Sequence, residues 1–226
     1  MELSENTVQV LKNFAGINSN IMVQEGNVLR SVTAARSVVA RAEVTEQFPQ
    51  AFGIYDLNEF ISVLSLVDTP NLQFKDDYVL IGDASGRSKV KYFFSSEETL
   101  TTSQKDIKMP SADVHFTLDN DTLNRVKKAA AALGHSEISI TGNDGVLTLA
   151  VVDTKNSTSN AYEIDIDGEF NKDAKFNFVI DNKNLARLLA GDYEVEISSK
   201  LITQFKNKQV NVTYWVALEK TSTYGV

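Results

Sequence analysis

Ala51-Phe52-Gly53-Ile54-Tyr55-Asp56-Leu57-Asn58-Glu59-Phe60, residues 51–60, turns a strand into a helix within one step. Residues 51–55 are apolar and aromatic, as a short strand requires. Asp56 then offers a side-chain acceptor to the free N–H groups of a first helical turn. Leu57, Phe60, Ile61 and Leu64 recur at helical spacing, and the pattern ends near Val67, ahead of Asp68-Thr69-Pro70. The same grammar returns late in the chain. A strand over 175–180 meets Asp181-Asn182-Lys183-Asn184-Leu185, and the predicted helix over 182–190 stops at Gly191.

Working outward, each of these strand-to-helix steps sits inside a similar plan. The first half opens with a helix over 4–15, capped by Ser4, with Val8, Leu11 and Ala15 on its apolar face. Strands follow at 21–25, 28–34 and 37–44, and after the Asp56 helix at 71–75, 78–82 and 88–94. The polar stretch 95–111, ending at Met109-Pro110, reads as a connector. The second half begins with a strand over 114–118 and a helix over 119–133. Strands at 136–141 and 146–153 join through Gly142-Asn143-Asp144-Gly145, and others lie at 161–170, 175–180, 193–198, 201–205 and 209–218. The expectation is an α+β protein of two similar domains, 1–110 and 111–226, each with two helices packed on antiparallel sheets.

Composition narrows the function by exclusion. With no cysteine, disulfides, thiolate metal sites and cysteine nucleophiles are ruled out. His115 lies in a strand and His135 follows Gly134 at a helix end, and neither has a ligand partner at metal spacing. Asp165-Ile166-Asp167-Gly168-Glu169 is a fragment of a calcium loop without its remaining acidic positions. No glycine-rich phosphate loop precedes a helix. The expectation is a protein that is not an enzyme and has no metal and no cofactor. Met1-Glu2-Leu3-Ser4-Glu5 has neither the basic nor the apolar region of a leader, and no apolar run is long enough to cross a membrane.

The net charge of −8 argues against wrapping nucleic acid unless basic groups gather on one surface. The helices offer candidates for that surface; the alternative is that these are simply the solvated faces of amphipathic helices. Arg125 and Lys128 fall opposite Leu123, Val126 and Ala130, and Lys183 and Arg187 are spaced to project together. Lys12 flanks the outward row Asn6, Gln9 and Asn13, while Asn58, Ser62 and Ser65 face outward on the second helix. Apart from Glu5 and Glu59 near helix starts and Asp121 in the first turn of the third helix, carboxylates concentrate in strands and loops. Neutral and basic helical faces can run along phosphates without reading bases.

Several strings resemble the sliding clamps of T-even-type bacteriophages, which act as DNA polymerase processivity factors. They are Leu11-Lys12-Asn13-Phe14-Ala15 with Ile17-Asn18-Ser19 and Ile21-Met22; Ile54-Tyr55-Asp56-Leu57-Asn58 with Phe60 and Leu64-Ser65-Leu66-Val67; Phe176-Asn177-Phe178; Gly191-Asp192-Tyr193; and Val216-Ala217-Leu218-Glu219. They run in order over nearly the whole chain, although 71–159 departs from the pattern. The resemblance implies the DNA clamp fold and a ring-forming homotrimer with helices lining the hole, which would place Lys12, Arg125, Lys128, Lys183 and Arg187 toward double-stranded DNA without sequence preference. It implies as partners the phage DNA polymerase, a clamp loader that hydrolyses ATP, and late-transcription factors, in the cytoplasm of the infected bacterial host.

The resemblance also implies that an edge strand of one domain pairs with an edge strand of the next copy. Tyr92, Phe93 and Phe94 on one side and Ala161, Tyr162 and Ile164 on the other are the expected interface residues; the alternative is that both segments are internal strands. A polymerase peptide pocket is expected near Ile107, Val216 and Leu218, where the alternative for Val216 and Leu218 is a place in the core. The competing functional reading is a non-catalytic β-rich phage structural or assembly protein, which gives no reason for basic residues on exposed helical faces.

Overall fold

The structure is a computed structural model that describes residues 1–225 apart from Ala84, Gln104, Asp144 and Ser157; Val226 also lies outside the described residues. It divides into two units, Met1–Lys105 and Asp106–Val226. The division falls inside the stretch 95–111, of which Gln104 is not described.

In the first unit α1 (Glu5–Ala15) is capped by the Ser4 side chain, which accepts from the Thr7 N–H. Its buried row is Thr7, Val10, Leu11 and Phe14. This shifts the face expected from sequence, since Val8 and Ala15 are only half-buried. Strands β1 (Ile21–Val23), β2 (Gly26–Val32), β3 (Val38–Phe48) and β4 (Phe52–Ile54) follow, with β2 antiparallel to β3 and β1 antiparallel to β4. The strand expected to stop at Val44 continues to Phe48, and Glu46 continues the inward parity of Val38, Ala40 and Ala42. Next come α2 (Leu57–Leu64), capped by Asp56, and the antiparallel sheet β5 (Asn71–Phe74), β6 (Tyr78–Gly82) and β7 (Lys89–Phe93), in that order. The ring of Tyr92 meets Phe60 of α2 edge-on at 5.2 Å, so the helix covers the face of β7 that bears Tyr92. Phe48, Phe52, Phe74 and Phe94 form a contiguous aromatic cluster.

The second unit holds β8 (Val114–Leu118), α3 (Asn120–Leu133), β9 (Glu137–Asn143), β10 (Val146–Val152), β11 (Tyr162–Ile166), β12 (Gly168–Phe170), β13 (Lys175–Asp181), α4 (Asn182–Leu185), β14 (Tyr193–Ser198), β15 (Ile202–Asn207), β16 (Val212–Ala217) and β17 (Thr223–Gly225). Within the unit one sheet runs β11-β10-β9-β13-β17 and another series runs β12-β8-β14-β15-β16, with every recorded pair antiparallel. Leu123 and Val126 of α3 pack with Ile138, Ile140, Leu149, Ile180 and Leu185, so α3 covers one face of the β11-β10-β9-β13 sheet. The turn expected at 142–145 includes Asp144, outside the described residues; Gly145 takes φ 82, which favours glycine.

Two expected elements differ. The single strand over 161–170 is two strands in different sheets, parted at Asp167. Gly168 permits this: a Cβ there would lie 2.6 Å from Leu147 Cδ2 and 3.0 Å from the His115 carbonyl, so the chain crosses close over β8 only as glycine. The helix expected over 182–190 ends at Leu185. Beyond it, Arg187 and Leu188 N–H groups donate three residues back, to Asn184 and Leu185. The Leu189 N–H donates to the Tyr214 hydroxyl at 3.3 Å and its carbonyl accepts from Tyr193, so two buried phenols replace the helical partners.

Candidate functional site

The helices place the candidate surface. On α3, Leu123, Val126 and Ala130 are buried and Arg125 and Lys128 are exposed, as the spacing predicts. Asp119 caps this helix by accepting from the Thr122 N–H at 2.6 Å. That bond from Thr122 does most to hold the Asp119 carboxyl below the usual carboxylate range, with Arg125 a smaller contributor. Asp192 accepts from the Asn120 N–H at 2.8 Å, so two carboxylates occupy the positive end of α3. Arg125 and these acids line a depression of about 360 Å³. Lys128 sits almost a full turn further along, away from that acidic end.

Lys127, on the border of the apolar face, is half-buried and donates to the Leu188 carbonyl at 3.4 Å. Burial lowers its pKa. Its ammonium therefore helps anchor the loop after α4. Lys183 is exposed, whereas Arg187 is half-buried in the turns beyond the shortened helix. The two do not share one helical row.

In the first unit the exposed positions of α1 are Glu5, Asn6, Gln9 and Lys12, and those of α2 are Asn58, Glu59 and Ser62. These faces carry amide and hydroxyl groups, one ammonium at Lys12, and one carboxylate in the first turn of each helix, Glu5 and Glu59. More acid is presented on strands. In the second unit Glu163 and Asp165 on β11, Glu169 on β12 and Glu194 on β14 are exposed on strands. Asp167, Glu169, Glu194 and Glu196 line a groove of about 550 Å³ around His115.

The expected interface segments are both edge strands. β7 has β6 as its one sheet neighbour and β11 has β10. Phe93 is 61% exposed, Tyr92 and Phe94 are half-buried, and Tyr162 and Ile164 are half-buried beside exposed Ala161. Of the expected pocket residues, Val216 is fully buried in β16 opposite Thr203, and Leu218 is buried. They pack in the core, and only Ile107 is half-buried and offers surface. Among the described residues no group of three or more histidine or acidic side chains is arranged to hold a metal. No helix is long and apolar enough to cross a membrane.

One supporting residue escaped the sequence. Glu46 is a buried carboxylate that accepts from the Ser4 N–H and the Thr7 hydroxyl, seating the first turn of α1 on β3. Its parity with Ala40 and Ala42 was the available signal.

Residues 4–101 match the family described as DNA polymerase processivity factor, and residues 115–220 match the one described as gp45 sliding clamp, C terminal. The chain is 32% identical over 225 residues to the sliding clamp of Vibrio phage KVP40, covering 97% of this chain and 99% of that protein. It is 30% identical over 235 residues to the sliding clamp of Escherichia phage RB69, covering 99% of each. Among solved structures it is similar to proliferating cellular nuclear antigen from Entamoeba histolytica, with a TM-score of 0.69 at 16% identity and 95% of each chain covered. The corresponding protein of Thermococcus kodakaraensis aligns with a TM-score of 0.69, also at 16% identity, over 94% of this chain and 96% of that one. At that identity these structures carry the fold alone.

Proposed function

The chain belongs to the sliding-clamp family of DNA polymerase processivity factors, and on that premise we propose that three copies close head to tail into a ring around duplex DNA. Its work is mechanical: it holds the replicative polymerase at the template, and no catalytic chemistry is asked of it. The observation that carries the DNA-facing assignment is the exposure of Arg125, Lys128 and Lys183 on helices in a chain of net charge −8, where the helical carboxylates Glu5, Glu59 and Asp121 are confined to first turns. Lys12, Arg125, Lys128, Lys183 and Arg187 face the duplex and meet phosphates, often through water, without base readout.

The phage polymerase docks through an apolar peptide beside Ile107. A clamp loader opens or assembles the ring, and late-transcription factors use the same sliding platform. The protein works in the cytoplasm of the infected host.

The test is topological. Loaded clamp should remain on closed circular DNA and be lost when the circle is cut, and the free protein should have the mass of a trimer by light scattering. A monomer, or retention that survives linearisation, overturns the reading.

A further inference from the structure

Asn18-Ser19-Asn20 lies between α1 and β1, and its side chains reach across the first unit to the start of the connector. The Asn18 Nδ2 donates to the Thr101 carbonyl at 2.7 Å and to the Val32 carbonyl at 2.9 Å. The Asn20 Oδ1 accepts from the Thr101 N–H at 2.9 Å, and its Nδ2 donates to the Tyr55 carbonyl at 2.6 Å. The Asn18 Oδ1 accepts from the Asn20 N–H at 2.9 Å, so the two residues brace each other.

Both backbone groups of Thr101 are therefore taken by side chains. In a sheet they would be met by a neighbouring strand's N–H and C=O. Here two amides stand in for that neighbour, and the connector is fixed without joining a sheet. Asn20 is buried, and a buried amide is tolerated only when its donors and acceptor are matched. Thr101 itself is exposed, so what is held is its main chain. Upstream, the Ser95 N–H donates to the Gly53 carbonyl at 2.9 Å. The segment 95–101 is thus pinned at both ends.

The same tripeptide touches both helices of the unit. The Asn18 N–H donates to the Phe14 carbonyl of α1 at 2.9 Å, and the Ser19 carbonyl accepts from Leu57, the first residue of α2, at 2.8 Å. Tyr55, which Asn20 holds, immediately precedes the Asp56 cap of α2. In the chain, Thr101 lies six residues before Ile107.

We propose that Asn18 and Asn20 form a clip that positions the connector for a docking apolar peptide, an inference that rests on the docking reading above. Both are positioning residues. They hold the main chain at Thr101 before the peptide arrives, which removes part of the ordering cost of binding. The acceptor for Thr101 and the donor to Tyr55 sit on one amide, so the start of the connector moves with the start of α2.

The experiment uses the full chain and compares it with Asn20→Ala, Asn20→Asp and, at the half-buried neighbour, Asn18→Ala. Amide hydrogen exchange at Thr101 reads the clip, and thermal unfolding reads the fold. Fluorescence anisotropy reads binding of a synthetic peptide copied from the C-terminal tail of the phage's replicative polymerase. Asn20→Ala should speed exchange at Thr101 by roughly tenfold and weaken peptide binding by roughly three- to tenfold. Asn20→Asp keeps the acceptor for the Thr101 N–H but sets a carboxylate against the Tyr55 carbonyl. It should be the least stable variant and yet bind the peptide better than Asn20→Ala. Asn18→Ala, which gives up the bond to the Thr101 carbonyl, should also weaken peptide binding. Affinity that follows stability across the variants, or fast exchange at Thr101 with unchanged affinity, overturns the clip. A peptide that fails to bind the unaltered chain overturns the docking reading; failure of the clip shows only in the variants.

Discussion

The Thr7 hydroxyl donates a hydrogen bond to the Glu46 carboxylate, tying the first turn of α1 to β3. Burial alone would raise the Glu46 pKa, but the bonds from the Ser4 N–H and the Thr7 hydroxyl outweigh it and the net shift is downward. A carboxyl whose folded pKa is lowered stabilises the fold above its unfolded value, about 4.3, and loses that contribution as pH falls through the folded value. Glu46→Ala should cost about 2 kcal/mol at neutral pH and flatten the acid side of the stability profile. Urea unfolding at pH 7 and at pH 3 checks this; equal losses at both would show that the carboxylate charge plays no part.

Lys128 stands clear of the acids at the start of α3, and Arg125 stands beside them. Reversing both, Arg125→Glu/Lys128→Glu, should lower processive synthesis by roughly tenfold at moderate salt and reduce the salt dependence of DNA retention. The trimer mass should not change. Primer extension on circular template measures it, and normal synthesis would move the DNA-facing surface elsewhere.

Two phenols carry the turn after α4. Burial pushes the Tyr193 hydroxyl up to about 12 and pushes Tyr214 up further. Their folded pKa values lie above the ordinary tyrosine value near 10, so the stability they contribute is present below about 10 and lost as pH rises through the folded values. Phenolate absorbance should therefore rise in two phases, and Tyr214→Phe should reduce the late one. The same variant removes the acceptor for the Leu189 N–H and should cost about 1–2 kcal/mol.

Gly142 lies under the Phe170 and Phe176 rings, where a Cβ would strike Phe176. Gly142→Ala should destabilise by about 1–3 kcal/mol and lower the thermal midpoint by roughly 5 °C. Scanning calorimetry would show it, and an unchanged midpoint would mean that the two rings shift freely.

The sequence was legible where pattern and local chemistry agree. The strands at Tyr78–Gly82, Val114–Leu118 and Tyr193–Ser198 fall where alternation places them, and Ser4, Asp56, Asp119 and Asp181 each cap the helix they precede. It was opaque where distant groups decide. Nothing local tells that Tyr193 and Tyr214 will take over the backbone of Leu189 and end α4, so Arg187 looked like a helical neighbour of Lys183. Glu46 read as loop because its partners, Ser4 and Thr7, lie about forty residues away. For the candidate surface, helical spacing was enough to expose Arg125 and Lys128. The burial of Val216 depends on strands that only the folded unit assembles.

The crossing at Asp167 has a mechanical side. One short run of covalent chain leaves the edge of one sheet at Ile166 and enters another at Gly168. Hydrogen-bonded edges can peel residue by residue, but a covalent bridge of one residue transmits tension without slack. A pull on β11 reaches β12 and the β8 edge at once. The domain would then resist as a single spring.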